Sequence, residues 1–108
     1  MKKVEAIVQP FKLLEVKEAL GEIGVTTLTV SDVQESDRYG RHTETYRGQA
    51  YTVDFAPRVR VDIVVPDTLL HEAISAITEA AKTGHDGAGS IFVSSLEDTV
   101  SIQTGEHR

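Results

Sequence analysis

The feature that most constrains the fold is a repeated pattern of strand, proline and helix. Ile7, Val8, Pro10, Leu13 and Leu14 recur, in the same order and spacing, as Ile63, Val64, Pro66, Leu69 and Leu70. In each copy an apolar stretch typical of a strand precedes the proline, and apolar residues at helical spacing follow it. The pattern predicts two βαβ halves. A length of 108 residues fits one domain that spans 1–108.

Hydrophobic alternation predicts strands over residues 2–9 and 58–65, and Thr and Val content predicts another over residues 26–34. Residues 90–96 are predicted as a fourth strand, and residues 99–104 are a candidate for a short fifth. The order βαββαβ predicts an α+β, ferredoxin-like sandwich with both helices on one face of the sheet. We interpret the other face as rich in valine, and we expect oligomerisation to cover it.

Composition excludes several classes of function. The chain has no cysteine, so it has neither a disulfide framework nor a thiolate metal site, which fits a cytoplasmic protein. A net charge of −6 argues against nucleic acid as a partner. No apolar run approaches the roughly 18 residues of a membrane span, so direct membrane insertion is not expected. The four histidines form no HxH or HxxxH pair, and no metal site is predicted.

Residues 35–56 form an unusual segment between the second and third predicted strands. All three tyrosines of the chain lie in it, interleaved with Arg38, Arg41 and Arg47. Exposed tyrosine and arginine side chains make a good contact surface, so we interpret the segment as a functional loop. The alternative is a long β-hairpin that turns at Arg47-Gly48, with Tyr and Thr as ordinary strand formers.

The stretch TGHDGAGSIFV, residues 83–93, is rich in glycine. Glycine frees backbone N–H groups to converge on an oxyanion. The stretch lacks the Gly-Lys-Ser/Thr of a Walker loop, and there is no Lys or Arg from residue 83 to residue 107. On the motif alone, a tight turn between a helix and a strand is the favoured interpretation. No nucleophile with a neighbouring base is visible, so the sequence predicts no enzyme activity.

Three separated motifs carry a resemblance to a known family: MKKVEAIVQPFKLLEVKEAL at the start, HTETYRGQAYTVDFAPRVRVDIVVPD in the middle, and TG-x-x-G-x-G-x-IFV with IQTGE near the end. Together they resemble the PII signalling proteins, which are small trimeric regulators of nitrogen metabolism. The resemblance implies a homotrimer with the three sheets facing one another. It identifies the T-loop as about residues 35–56 and the phosphate-binding B-loop as about residues 83–90. In the family, ATP or ADP binds between subunits, 2-oxoglutarate joins ATP through Mg²⁺, and the T-loop controls a membrane transporter or an enzyme.

The resemblance assigns effector-binding roles to a group of residues that keep the family's chemistry, namely Ile7, Arg38, Arg58, Asp62, Val64, Gly87 and Gly89. It places Arg47 at the T-loop tip that contacts the target, and Tyr51 at a position that is modified in many members.

Other family positions have changed. Ser90, Ser101 and Gln103 stand where the family has phosphate-binding cations, Tyr39 replaces the glutamine that ligates Mg²⁺, and Glu35 replaces a cleft glycine. We expect Glu35 to repel a nucleotide.

The sequence therefore predicts a divergent regulator with a weakened nucleotide site. We expect it to require no cofactor and to lack the tight binding of Mg²⁺ with 2-oxoglutarate. The alternatives for its cleft are a smaller anion, weakly bound ADP, AMP or ATP, and no ligand at all. The alternative function is a trimeric metal-handling protein like the CutA proteins, which share the architecture. A small enzyme on the same fold, of the acylphosphatase type, would need an asparagine, and the chain has none.

Overall fold

Four antiparallel strands form the main sheet, and two helices cover one of its faces. The computed structural model describes residues 1–36, 42–46, 49–53, 55–84 and 87–107, and for residues 42–46 and 49–53 it describes the backbone alone. The strands and helices are β1 (Lys2–Val8), α1 (Leu13–Glu22), β2 (Thr29–Glu35), β3 (His42–Tyr46), β4 (Gln49–Val53), β5 (Ala56–Val65), α2 (Leu70–Ala81) and β6 (Gly89–Ser95). The order in the main sheet is β2-β5-β1-β6. The predicted ferredoxin-like arrangement is confirmed.

Each half of the chain begins in the same way, as the repeated pattern predicts. One 3₁₀ turn, Pro10–Lys12, joins β1 to α1, and a second, Asp67–Leu69, joins β5 to α2. Proline suits these positions because its fixed φ angle matches a helix start and it needs no N–H acceptor there. Gly24, with a φ of 90°, follows the end of α1, where a left-handed residue commonly ends a helix.

The core lies between the sheet and the helices. Val4 pairs with Ile63 of β5 and with Val93 of β6, so these side chains share one face of the sheet. Leu20 of α1 and Ile77 of α2 are buried against that face. The alternation of the sequence predicts this arrangement, because every second strand residue points to the helices.

The opposite face of the sheet is not rich in valine, and this prediction was wrong. Strand register puts most valines of β1 and β5 on the helix side. The open face carries a mixture of apolar and charged side chains, including Lys3, Glu5, Ile7, Arg58, Arg60, Asp62, Val64 and Phe92. The error arose because valine content was taken as a property of both faces, whereas a strand divides its residues between faces by a period of two.

The alternative interpretation of residues 35–56 as a hairpin is confirmed for the backbone. β3 and β4 pair in antiparallel fashion, with Tyr46 opposite Gln49, in a separate two-stranded sheet. The main sheet reaches both ends of the segment, because Glu35 pairs with Ala56. The two ends of the segment therefore lie side by side on the main sheet.

Two strand predictions need correction. β2 begins at Thr29 and not at residue 26, because its ladder starts opposite Asp62 of β5 and residues before Thr29 have no strand partner in the described part of the chain. Residues 99–104 do not form a strand. Gly105, with a φ of 71°, turns the chain, its N–H donates to the Ser101 carbonyl at 2.7 Å, and His107 returns beside Val100.

Candidate functional site

The glycine loop is fixed against the end of β1. Gly87 and Gly89 have φ angles of 86° and 137°, which side chains other than glycine rarely adopt. The Gln9 side-chain amide donates a hydrogen bond of 2.8 Å to the Gly87 carbonyl. A Cβ atom at Gly89 would lie 2.0 Å from the Ile7 carbonyl oxygen. Gly89 is therefore required for the path that the loop takes past Ile7, and the φ angle of Gly87 favours glycine there.

A mostly apolar pocket of about 360 Å³ lies beside this loop. It is lined on one side by β1 and α2 and on the other by Ala88, Gly89 and Ser90. Lys82 also lines it, but its ammonium is paired with Glu79 at 3.0 Å. Because residues 83–107 contain no Lys or Arg, an anion at the loop depends on backbone N–H groups and on cations from other strands.

Two cations lie on β5, the strand next to β1: Arg60 is opposite Ile7 and pairs with Asp62, and Arg58 lies two residues before it. Val8 of β1 pairs with Gly89 on one side and with Val59 on the other, so Arg58 and the glycine loop lie at the same end of the sheet. Two strand spacings separate them, or roughly 10 Å. Arg58 is only 7 % exposed, and its Nε lies 3.5 Å from a Glu35 carboxylate oxygen. Glu35, which we expected to repel a nucleotide, thus partly neutralises this arginine.

Asp62 and Val64 lie in a different place. They line a pocket of about 560 Å³ together with Lys3, Thr29 and Thr99. Asp62 Oδ2 lies 3.2 Å from Arg60 Nε, whereas Asp62 Oδ1 is buried with no hydrogen-bond partner in the described part of the chain. Val64 pairs with Lys3 near the start of β1, at the far end of the sheet from Ile7.

The predicted site residues therefore form two groups within one chain. Ile7, Gly87, Gly89 and Arg58 come together at one end of the sheet, and Asp62 and Val64 form the second group. Arg38 and Arg47 lie outside the described residues. Tyr51 lies in β4 opposite Glu44, and its side chain is outside the described part.

Comparison with known proteins decides the family. The family described as nitrogen regulatory protein P-II matches residues 1–106. Curated proteins of that name are similar to the chain over 106 residues, which is 98 % of this chain and 95 % of each relative: the one from Azospirillum brasilense is 52 % identical and the one from Rhodobacter capsulatus is 54 % identical. The one from Haemophilus influenzae is 48 % identical over the same share of both chains.

The chain belongs to the P-II family. Members are nitrogen regulatory proteins, so the chain has a regulatory, signal-transducing role, and the family is one of signalling proteins and not of enzymes. This assignment gives no support to the alternative of a CutA-like metal-handling protein. In the described ranges no three His, Cys, Asp or Glu side chains lie close enough to hold a metal ion. In the same ranges no helix is long and apolar enough to span a membrane.

Besides the contact between Glu35 and Arg58, sequence reasoning missed two other contacts of this P-II site. The bond from Gln9 to the Gly87 carbonyl joins residues far apart in the chain, and no local motif predicts it. The pairing of Arg60 with Asp62 was within reach, because residues two apart in a strand share a face and these two carry opposite charges.

Proposed function

We propose that this P-II chain is a cytoplasmic regulator, not an enzyme, that binds a small anionic effector and controls a transporter or an enzyme through its T-loop. The observation that supports it best is the glycine loop beside Ile7, whose backbone angles favour glycine at Gly87 and Gly89. Backbone N–H groups of such a loop can hold a phosphate or a carboxylate. Arg58 supplies a buried positive charge at the same end of the sheet.

The proposed site binds a triphosphate only weakly. Ser90, Ser101 and Gln103 offer neutral side chains at the positions where the family resemblance implies cations. A charge-assisted hydrogen bond contributes about 1.5–3 kcal/mol, so three missing cations weaken ATP binding by several kcal/mol. Tyr39 offers Mg²⁺ no amide oxygen, the kind of ligand that this ion accepts. We therefore propose that ATP, ADP or AMP binds weakly, that no cofactor is required, and that 2-oxoglutarate does not tighten ATP binding.

Restoring the cations tests this proposal. The variant with Ser90→Lys, Ser101→Arg and Gln103→Arg is expected to bind ATP at least tenfold more tightly than the unaltered chain in isothermal titration calorimetry. Three charge-assisted hydrogen bonds contribute at least about 4.5 kcal/mol together. Even half of that, about 2 kcal/mol, corresponds to a roughly thirtyfold gain in ATP affinity. ADP and AMP are titrated in parallel, and a smaller gain is expected as phosphates are removed.

A matched control separates the site from the general charge of the protein. It adds the same three positive charges at exposed positions elsewhere, by the substitutions Thr26→Arg, Thr68→Arg and Ser75→Lys. This control is expected to change ATP affinity less than threefold at 0.15 M salt, where distant surface charges are screened. Submicromolar ATP binding by the unaltered chain, strengthened by 2-oxoglutarate, would refute the proposal.

The predicted site residues form two separate groups within one chain, and this separation supports a homotrimer. One chain presents the glycine loop at one end of its sheet and the Asp62 pocket nearer the other end. A cleft between two copies can bring the loop of one against the Asp62 pocket of the next, as the family resemblance implies. The open sheet face also holds Phe92, which is 57 % exposed, and the buried hydroxyl of Ser31, which has no hydrogen-bond partner within the described ranges. Those groups fit an interface that a second copy completes.

Light scattering tests the assembly. We expect three times the chain mass at micromolar concentration, and the substitution Phe92→Asp is expected to lower the mass towards that of a single chain. Leu14→Asp serves as the control, because Leu14 is equally exposed but lies on α1, away from the open face. A single-chain mass for the unaltered protein would refute the trimer.

A further inference from the structure

Arg58 is a positively charged side chain with an N–H donor that makes no hydrogen bond within the described ranges. It is the one buried charged side chain in the described part of the chain. Its Nη1 donates to the Pro57 carbonyl at 2.7 Å. Its Nε is buried and makes no hydrogen bond to any described residue. A buried guanidinium is costly unless an anion neutralises it and accepts its N–H groups.

Glu35 supplies the nearest negative charge. Its Oε1 atom lies 3.5 Å from Arg58 Nε, which is longer than a usual N–H···O hydrogen bond. The Glu35 side chain is 40 % exposed and keeps part of its hydration. The two groups therefore attract each other as a loose ion pair, without the short contact of a charge-assisted hydrogen bond.

A pocket lies beside Arg58. It has a volume of about 360 Å³, within the range of small-ligand sites, and lies where β2 and β5 meet the start of the first helical turn. Asp32 is the one acidic residue that lines it. The lining residues are Pro10, Asp32, Val33, Gln34, Pro57 and Arg58.

We propose that Glu35 determines which anions this protein binds, by acting as a resident counter-ion that competes for Arg58. An incoming phosphate or carboxylate must displace the Glu35 carboxylate before it can accept from Arg58 Nε. Weakly charged anions are excluded by this competition, and strongly charged ones are bound less tightly than Arg58 alone would bind them. This inference rests on the proposed function, because it concerns the anionic effector of the same site.

Displacement of the Glu35 side chain also affects the pairing of β2 with β5. Glu35 is the last residue of β2, and its partner is Ala56, the first residue of β5. When the carboxylate leaves Arg58, the side chain that ties this end of β2 to β5 is released. Protection of the Glu35 and Ala56 backbone amides against hydrogen exchange is therefore expected to fall on anion binding.

Anion titrations on three proteins test the inference: the unaltered chain, Glu35→Gln and the control Glu22→Gln. Glu22 lies exposed at the end of α1, so its substitution removes the same charge at a distance from Arg58. The probes are inorganic phosphate and succinate, which distinguish phosphate from dicarboxylate chemistry. Glu35→Gln is expected to bind at least one of them tenfold or more tightly than the unaltered chain, and Glu22→Gln to stay within twofold.

A second measurement needs no ligand. The ¹⁵N and ¹H resonances of Arg58 Nε are expected to shift in Glu35→Gln, because the paired carboxylate is gone, and to remain in place in Glu22→Gln. An unchanged Arg58 resonance, or phosphate and succinate affinities equal to those of Glu22→Gln, would overturn the inference. If nucleotides still bind the unaltered chain in that case, the proposed function stands without it. If no protein binds phosphate, succinate or nucleotide, both are overturned.

Discussion

The substitution Gly89→Ala is expected to destabilise the protein by about 2–5 kcal/mol. The new Cβ atom would lie 2.0 Å from the Ile7 carbonyl oxygen and 3.1 Å from the Ile7 carbonyl carbon, both of them backbone atoms that cannot rotate away. The φ angle of 137° adds strain of about 1–2 kcal/mol for any residue with a Cβ. The backbone shift that relieves the overlap costs about 1–3 kcal/mol more, by analogy with overpacked cores.

Gly24→Ala and Gly87→Ala are the matched controls. Both glycines have a φ angle near that of a left-handed turn, and neither would bring a Cβ within 4 Å of another group. Each is therefore expected to cost only the strain, about 1–2 kcal/mol. Urea unfolding followed by circular dichroism gives the three values, at one fixed protein concentration because association shifts apparent stability. If Gly89→Ala is no more destabilising than Gly24→Ala, the close approach of β6 to Ile7 is not what requires glycine.

Two further predictions concern the core and the acid limit of stability. Leu20→Ala is expected to lower the free energy of unfolding by about 2–5 kcal/mol because Leu20 is fully buried, whereas Ile102→Ala, at a fully exposed residue, should change it by less than about 0.5 kcal/mol in the same urea assay. The pKa of Asp67 lies below its usual value because the Met1 α-ammonium, 3.0 Å away, donates a hydrogen bond to the carboxylate and attracts it. A lowered pKa stabilises the folded state above the unfolded-state pKa, and this contribution is lost as the pH falls through the folded-state pKa. Asp67→Asn should therefore flatten the fall of the melting temperature as the pH drops below about 5, and an unchanged fall would contradict the pairing.

The main sheet and both helices could be predicted because their signals are local and repeated. Alternation places Val4 and Ile63 on the buried face, and the two prolines mark where each helix approaches. The segment 26–28 was predicted as part of a strand from Thr and Val content alone, and residues 99–104 were taken as a candidate for a short strand. Strand formation depends on an available partner, and neither segment has a ladder partner in the described part of the chain.

Only part of the candidate site could be predicted from the sequence. Gly87 and Gly89 could be recognised because positive φ angles select for glycine. The contact of Glu35 with Arg58 could not be predicted, because it joins two strands. The sequence alone does not show which cation a carboxylate will pair with. The division of the site between Ile7 and Val64 also escaped prediction. Family resemblance assigns roles to positions and leaves open which of them one chain brings together.

Because Glu35 pairs with Ala56, the segment between them can be replaced by another segment without changing the main sheet. Its two ends are held side by side by the sheet, so the sheet fixes where the segment starts and stops regardless of what lies between. The entropy of closing a loop grows slowly with length, by only about 0.6 kcal/mol for each doubling. Segments of other lengths and sequences can therefore be spliced between these two residues at small cost to the fold. The scaffold can acquire a new recognition element by exchange of one continuous stretch of the gene, while the strands that form its core stay as they are.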